Sequence, residues 1–146
     1  MIHIRPYTLN DWDGICNVHD RSRPLELDDS AQDRNYTPLK DDPENAALQQ
    51  CRLLVACEGD KIIGFSGSHE SYLGWLYLDP DYTGQGIGRQ LLKESLKYTG
   101  PHTWTVTLAE NKRAQKLYES EGFKVRGSFI SDEEGFPCEV FKMSLD

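Results

Sequence analysis

The stretch LDPDYTGQGIGRQLLKESL, residues 78–96, most constrains the fold because it carries glycines at three alternate positions, Gly84, Gly86 and Gly88. The nearly continuous apolar segment YLGWLYLD comes before them, as in a strand covered on both faces. A run typical of a helix, RQLLKESLKYT, follows them. Without Cβ atoms, several backbone N–H groups can converge at the start of a helix, where unsatisfied donors and the helix dipole favour an anion. The stretch therefore predicts a strand–loop–helix unit that binds a phosphate or pyrophosphate.

Two well-known phosphate-binding patterns do not fit this loop. The Walker pattern G-x-x-x-x-G-K-[ST] is absent, because Arg89 and Gln90 follow the last glycine. The Rossmann pattern G-x-G-x-x-G fails because the spacing here is G-x-G-x-G and the loop lies in the middle of the chain. A glycine-rich turn without a ligand is the alternative that the glycines alone leave open.

The first third of the chain is predicted to be a strand and two helices. HIRPYTLNDWDGICNVHD reads as a short strand followed by a helix from about Asp11 to Asp20, with Asn10 or Asp11 as its N-cap. The segment RSRPLELDDSAQDRNYTPLKDDPEN has no clear period, so we expect an extended connection or lid. PENAALQQ is expected to form a short helix with Pro43 in its first turn.

Strands dominate the remainder. Two apolar runs joined at Gly59-Asp60 predict a hairpin, and the alternation in TWTVTL predicts a strand. NKRAQKLYESEG is expected to be a helix capped by Asn111 and ended by Gly122, before a closing hairpin around SDEEGFP. The predicted fold is a single α/β domain over residues 1–146, with the order β-α-α-β-β-β-α-β-α-β-β and a mixed central sheet with helices on both faces.

Composition excludes several classes of function. The formal net charge of -8 argues against nonspecific nucleic-acid binding. No apolar run is long enough to span a membrane and no signal-peptide pattern is present, so we expect a soluble cytoplasmic protein. The four cysteines lack a C-x-x-C pair and the four histidines lack ligand spacing, so we expect reduced thiols and no metal.

Two motifs in the second half of the chain resemble those of the GCN5-related N-acetyltransferase (GNAT) superfamily. The phosphate-loop frame [Q/R]-x-x-G-x-[G/A] falls on TGQGIG, with Thr83 where the family usually has Gln or Arg. The pattern N-x-x-A-x-x-x-Y-x-x-x-G-F is matched at Asn111, Ala114, Tyr118, Gly122 and Phe123.

The resemblance implies that acetyl-CoA is the cosubstrate and that its pyrophosphate lies on the backbone amides from about Gly84 to Arg89. It also implies that GWLYLD splays from TWTVTL, so that backbone groups of Leu76 and Leu78 face the pantetheine arm as in an added strand. The implied cofactor-binding residues are Leu76, Leu78, Thr83, Gly84, Gln85, Gly86, Ile87, Gly88, Arg89 and Asn111.

The implied catalytic residue is Tyr118, whose hydroxyl would protonate the CoA thiolate as a general acid. A core tyrosine on an amphipathic helix is the alternative for Tyr118, and an ordinary helix cap is the alternative for Asn111. The family does not specify the general base. Glu70 and His69 are the candidates, with Tyr72 as a third, and a solvated turn residue is the alternative for the first two.

The resemblance implies direct acetyl transfer to a primary amine of a small molecule or peptide. Residues 20–50 contain eight acidic residues against four basic ones, so the acceptor is expected to be cationic if this segment borders its cleft. The acids expected there are Glu26, Asp28, Asp29 and Asp33, and a solvated loop is the alternative. A homodimer is common among proteins of this kind. A noncatalytic acyl-CoA sensor on the same fold is the alternative function.

Overall fold

A computed structural model gives the fold, and it describes residues 1–27, 38–131 and 137–146, with only the backbone for residues 23–27. In these ranges one sheet has the strand order β1-β2-β3-β4-β5-β7-β6. Its strands are β1 (Ile2–Pro6), β2 (Arg52–Glu58), β3 (Lys61–His69), β4 (Tyr72–Leu78), β5 (Trp104–Leu108), β6 (Lys124–Ser131) and β7 (Cys138–Ser144). The α-helices are α1 (Trp12–Leu27), α2 (Asn45–Gln49), α3 (Ile87–Thr99) and α4 (Lys112–Ser120).

The sheet is mixed, as predicted. The pairing of β4 with β5 is parallel, and the other neighbouring strands pair antiparallel. Short 3-10 turns precede α1, α2 and α3 at Leu9–Asp11, Leu39–Asp41 and Pro80–Tyr82. The α/β class is confirmed, and the α-helices and strands follow one another in the predicted order. No helix in the described ranges is long and apolar enough to cross a membrane.

Helices cover both faces of the sheet. Successive residues of β2 point to opposite faces. Val55 lies in a cluster with Ile15 of α1, whereas Ala56 lies in a cluster with Ile87 of α3. On the α3 face, Tyr118 of α4 is in a further cluster whose buried members also include Leu73, Leu92, Phe123 and Met143. The α1 face and the α3 face are named below by these helices.

The sheet opens between its two central strands. β4 and β5 pair at a single register position, Tyr72 opposite Trp104, supported by a hydrogen bond of 3.0 Å from the Trp104 N–H to the Ser71 carbonyl. Beyond this position β4 stays paired with β3, and β5 stays paired with β7 along its whole length. The two strands therefore separate toward the C-terminal end of β4, as the resemblance implied.

The first helix is longer than predicted. Asp11 lies directly before α1, and its carboxylate accepts hydrogen bonds from Arg5 and from the Thr8 N–H. The helix continues to Leu27, so the prediction that Arg21 begins an extended connection was wrong. The reason is tertiary: Arg21 forms ion pairs with Asp79 and Asp81, and Ser22 donates a hydrogen bond to the Leu78 carbonyl.

Other local predictions are confirmed, with one exception. β2 and β3 form a hairpin at Gly59, whose φ is 61°, and the short helix α2 is present. The prediction that Pro43 lies in its first turn was wrong, because α2 begins at Asn45 with Glu44 as its N-cap and Pro43 precedes that cap. β6 and β7 pair antiparallel, while their connection at residues 132–136 lies outside the described residues.

Candidate functional site

The glycine loop has the backbone geometry that its sequence predicted. Gly84 and Gly86 both have φ of 79°, and Gly86 is the N-cap residue of α3. An added Cβ at either position would have no atom within 4 Å. Backbone conformation therefore requires glycine here, and the space above the loop is open at the N-terminus of a helix of 13 residues.

A cavity of about 410 Å³ lies between this loop, the open part of the sheet and α4. Most of the predicted cofactor-binding residues line it: Leu76, Leu78, Thr83, Gly84, Gly86, Gly88, Arg89 and Asn111. Two do not: Gln85 is exposed, and Ile87 is buried in the cluster with Ala56 and Ile63. The cavity wall includes Arg89, Lys112 and Arg113 and, among the described residues, no Asp or Glu. Its electrostatic character suits an anion.

The edge of β4 supplies backbone groups to this cavity. The Asp79 N–H donates a hydrogen bond of 2.7 Å to the Ile63 carbonyl of β3. Because backbone groups alternate in direction along a strand, the residues one and three positions before Asp79 point their N–H and carbonyl groups away from β3. Leu76 and Leu78 are those residues, and they face the opening. The Leu78 carbonyl already accepts a bond of 2.7 Å from the Ser22 hydroxyl. Ser22 also lines the cavity, although the sequence predicted no role for it.

Three residues of the second motif line the cavity: Asn111, which caps α4, and Ala114 and Tyr118, which lie on α4. The Asn111 side chain accepts a hydrogen bond of 3.2 Å from the Ala114 N–H, so its prediction as a helix cap is confirmed. Tyr118 is 6% exposed, and its ring lies 5.2 Å from that of Phe123. It is therefore at once a core residue and part of the cavity wall.

Arg89 links the loop to the far end of α4. Its guanidinium donates to the Glu121 carboxylate at 2.6 Å and to the Ser120 carbonyl at 3.5 Å. This ion pair holds the first turn of α3 against the C-terminal end of α4. Arg89 therefore lines the cavity while its guanidinium is already in an ion pair with Glu121.

A second cavity, of about 520 Å³, lies on the α1 face. It shares Gly74, Tyr77, Val106 and Thr107 with the first cavity, so the two meet where β4 and β5 separate. The acidic residues Asp42 and Glu44 form part of its wall, whereas no Lys or Arg of the described residues lines it. Its aromatic wall consists of Tyr72, Trp75 and Tyr77. This combination suits a cation with an apolar stem.

The candidates for the general base occupy different environments. His69 is exposed at the end of β3 and lines the second cavity. Tyr72 lines it too, and its ring centroid lies 4.3 Å from that of Trp104 in a tilted arrangement. Glu70 is exposed in the β3–β4 turn, has φ of 53° and is not part of the described cavity wall. The structure therefore brings His69 and Tyr72, but not Glu70, to the second cavity.

Sequence reasoning missed His19 and two of the acids. His19 is buried on α1 and lines the second cavity; its only sequence signal was a position on the apolar face of the helix. Asp42 and Glu44 belong to the acidic segment that was expected to border the acceptor. The four acids named for that role are not described: Asp28, Asp29 and Asp33 lie outside the described residues, as does the side chain of Glu26.

Residues 49–125, more than half of the chain, match the family model of the acetyltransferase (GNAT) domain. The chain belongs to the GNAT acetyltransferase family. This acetyltransferase is 30% identical over 110 residues to the peptidyl-lysine N-acetyltransferase YjaB of Escherichia coli K12, a match that covers 75% of this chain and 74% of YjaB.

Solved structures agree with this assignment. The solution structure of apo-form YjaB from Escherichia coli superposes with a TM-score of 0.75 at 27% identity, covering 99% of this acetyltransferase and 97% of that chain. The structure of yncA from Salmonella typhimurium, determined with its cofactor acetyl-CoA, has a TM-score of 0.75 at 18% identity and covers 100% and 95% of the two chains. At that identity the second likeness supports the fold alone.

Proposed function

We propose that this protein uses acetyl-CoA as cosubstrate and transfers the acetyl group directly to a primary amine. The observation that carries the proposal is the separation of β4 from β5, which joins a cavity suited to an anion to one suited to a cation. A cosubstrate and an acceptor that approach from opposite faces of the sheet would meet in this opening. Direct transfer needs no covalent enzyme intermediate, only two reactants held in contact.

The first cavity fits coenzyme A in three respects. The N–H groups at the start of α3, reached over Gly84 and Gly86, suit a pyrophosphate. The outward backbone groups of Leu76 suit the amides of a pantetheine arm, which would pair with β4 as an added strand. Lys112 and Arg113 add positive charge at the cavity wall. Thr83 contributes a hydroxyl that already donates to the Pro80 carbonyl, so backbone amides would hold most of the phosphate charge.

In the proposed reaction the amine nitrogen attacks the acetyl carbon, a C–N bond forms and the C–S bond breaks. The departing thiolate needs a proton, and we assign the Tyr118 hydroxyl as its donor. Tyr118 is suited to this role because it lines the cosubstrate cavity while its ring is held by Phe123. His69 and Glu70 stay candidates for the base, and of these two His69 has the better position.

The acceptor that fits the second cavity best is a lysine side chain. Asp42 and Glu44 would attract its ammonium group, and the faces of Trp75 and Tyr77 would cover its methylene stem. The printed name of YjaB, a peptidyl-lysine N-acetyltransferase, supports the same class of acceptor. A small diamine shares this chemistry and is the natural comparison.

The experiment is to incubate the protein with acetyl-CoA and a panel of amines while free thiol is monitored. The panel contains a peptide with a blocked N-terminus and one lysine, 1,5-diaminopentane and benzylamine. We expect turnover with the first two and weaker turnover with benzylamine, whose amino group is joined to an aromatic ring by a single methylene instead of a flexible methylene stem. Tight acetyl-CoA binding without turnover on any amine would contradict the proposal and favour an acyl-CoA sensor, and competition by ATP would favour a nucleotide-binding site.

Replacing Tyr118 by Phe tests the assigned acid. We expect kcat to fall about 100-fold, the lower range for a lost general acid, while the Kd of acetyl-CoA stays within about twofold. Tyr98→Phe is the matched control, because Tyr98 is 47% exposed on α3 and lies under the Arg52 guanidinium. Equal rates for both variants would leave Tyr118 as a packing residue.

A further inference from the structure

Two acidic residues lie directly before the glycine loop. Asp79 follows β4 and is fully buried, and Asp81 is exposed in the 3-10 turn Pro80–Tyr82. Gly84 comes three residues after Asp81. A loop suited to a pyrophosphate therefore begins with two carboxylates, and like charges at short range repel each other. A nearby positive charge is needed to offset them.

Arg21 of α1 forms ion pairs with both carboxylates. Its Nη1 atom donates to Asp79 Oδ2 at 2.6 Å, and its Nη2 atom donates to Asp81 Oδ2 at 3.0 Å. The planar guanidinium carries its donors in a fixed fork, so it can bridge two carboxylates in a way that the ammonium group of lysine does not. The next residue, Ser22, lines the cosubstrate cavity and donates to the Leu78 carbonyl at 2.7 Å. This part of α1 therefore lies against the base of the loop.

The Asp79 carboxylate also shapes the turn that leads into the loop. Its Oδ1 atom accepts a hydrogen bond of 2.9 Å from the Asp81 N–H, while Oδ2 faces Arg21. Further along, the Thr83 hydroxyl donates to the Pro80 carbonyl at 3.2 Å. A fully buried carboxylate without a cationic partner is unfavourable, so the turn is most stable while Arg21 holds Asp79. The path of the backbone from β4 into the glycine loop therefore depends on Arg21.

The glycine loop has little packing of its own between its two ends. An added Cβ at Gly84 or Gly86 would have no atom within 4 Å. The end nearer to α3 is held by the ion pair of Arg89 with Glu121, and the end nearer to β4 is held by Arg21. A site that is already ordered before the ligand arrives loses less conformational entropy on binding. Each anchor is therefore expected to contribute to the affinity for the cosubstrate.

We infer that Arg21 is a positioning residue for the cosubstrate, an inference that rests on the proposed function. Through Asp79 it holds the glycine loop in the conformation that binds the pyrophosphate, and through both acids it offsets negative charge at the base of the loop. Arg21 is not part of the cavity wall among the described residues, so it acts through the loop and not by contact with the ligand. Its loss should weaken binding of the pyrophosphate and leave the pantetheine arm and the chemical step unaffected.

A second arginine–aspartate pair provides a matched control. Arg5 of β1 donates to both Asp11 oxygens, at 2.8 Å and 2.9 Å. The Arg5 and Asp11 side chains are 43% and 7% exposed, close to the 40% and 0% of Arg21 and Asp79. Asp11 lies just before the start of α1, and neither residue of the pair is part of either described cavity wall. Arg5→Gln thus removes a comparable ion pair away from the glycine loop.

The test compares Arg21→Gln, Arg21→Lys and Arg5→Gln with the parent protein. For each protein the Kd of CoA is measured by titration calorimetry, and kcat and KM for acetyl-CoA are measured with the fastest acceptor of the panel. S-acetylpantetheine is the second donor, because it keeps the thioester and the pantetheine arm but lacks the pyrophosphate. Circular dichroism and thermal unfolding show whether each variant folds.

In Arg21→Gln the Kd of CoA and the KM for acetyl-CoA should rise about 10-fold, the lower end of what a lost hydrogen bond to a charged group costs, while kcat stays within about twofold. The kcat/KM for S-acetylpantetheine should stay within about twofold of the parent value. Arg21→Lys keeps the charge but not the fork, so its Kd should rise about threefold. Arg5→Gln should lower Tm about as much as Arg21→Gln does and leave the constants for CoA unchanged.

If Arg21→Gln does not fold, Arg21→Lys decides the question, and parent-like CoA affinity in that variant contradicts the inference. The inference is also overturned if Arg21→Gln keeps the parent Kd, if Arg5→Gln weakens CoA binding equally, or if kcat/KM falls equally for S-acetylpantetheine and acetyl-CoA. A parent protein that binds no CoA or acetylates no amine contradicts the proposed function itself and this inference with it. Normal turnover in the parent with an unchanged KM for acetyl-CoA in Arg21→Gln contradicts the inference alone.

Discussion

The glycine loop allows strain, stability and cosubstrate binding to be separated by three alanine variants. Gly86 and Gly100 stand at opposite ends of α3 with φ of 79° and 83°, and an added Cβ at either would have no atom within 4 Å. Alanine at each should therefore cost backbone strain alone: about 1 to 2 kcal/mol at Gly86, which is in the left-handed region, and up to about 3 kcal/mol at Gly100, whose ψ of -169° lies in a region that essentially only glycine adopts. For a domain of this size the strain at Gly86 lowers Tm by roughly 3 to 6 °C, and the strain at Gly100 lowers it by at least as much.

Gly88 differs because it lies inside α3 and its φ is outside the left-handed region. An added Cβ there would lie 3.6 Å from Leu117 Cδ2, an ordinary contact. Alanine should therefore stabilise the protein by about 0.5 to 1 kcal/mol through the lower entropy of the unfolded chain. The methyl group would nevertheless enter the cosubstrate cavity, which Gly88 lines.

The affinity for CoA is expected to depend on where the methyl group is added, not on whether the variant is more or less stable than the parent. A methyl group at Gly86 or Gly88 would hold the pyrophosphate away from the backbone, and the loss of one hydrogen bond to a charged group costs about 1.5 to 3 kcal/mol. The Kd of CoA should thus rise about 10- to 100-fold in both variants and stay unchanged in Gly100→Ala.

The assays are thermal unfolding without ligand, followed by circular dichroism, and titration calorimetry with CoA. The decisive variant is Gly88→Ala, which should be more stable than the parent and bind CoA more weakly. Parent-like CoA affinity in Gly88→Ala would refute the reasoning and leave the loop as a turn. Weaker binding in Gly100→Ala would indicate that strain alone explains the effect.

Two further predictions concern charge. The Arg5 hydrogen bonds lower the pKa of Asp11 to about 2 from its ordinary 3.8, so this carboxylate stabilises the fold above pH 4 and that stability is lost as pH falls toward 2. Acid titrations of unfolding should show Asp11→Asn to be less stable by about 1 to 2 kcal/mol at pH 6, with a difference that disappears near pH 2. Neutralising Asp42 and Glu44 together should raise KM for 1,5-diaminopentane about 3- to 10-fold but leave KM for acetyl-CoA unchanged. Added salt should reduce the difference in KM for 1,5-diaminopentane between the variant and the parent protein, because it screens these charges. An unchanged KM at low salt would mean that these carboxylates do not attract the acceptor.

Local signals account for what the sequence predicted well. The strand–loop–helix unit depends on neighbouring residues, since glycine permits the positive φ of Gly84 and Gly86 wherever the chain places them. The Asn111 cap spans only three positions to its partner, the Ala114 N–H. Apolar runs likewise mark β2 and β3, and apolar alternation marks β5, without reference to the rest of the chain. The first cavity could be anticipated because most of its wall comes from two continuous stretches, residues 74–89 and 105–118.

By itself, then, the amino-acid sequence determined the α/β class and the glycine loop, because both follow from short-range patterns, and the motif resemblance predicted many of the residues that line the first cavity. Only the tertiary structure decided the extent of α1 and the composition of the second cavity. Arg21 meets Asp79 across 58 positions and Leu39 meets Asp20 across 19, contacts that have no periodicity to reveal them. His19 reads in sequence as one more residue on a helix face. It becomes part of the wall of the second cavity only because folding brings that face against Tyr77, beside the opening between β4 and β5.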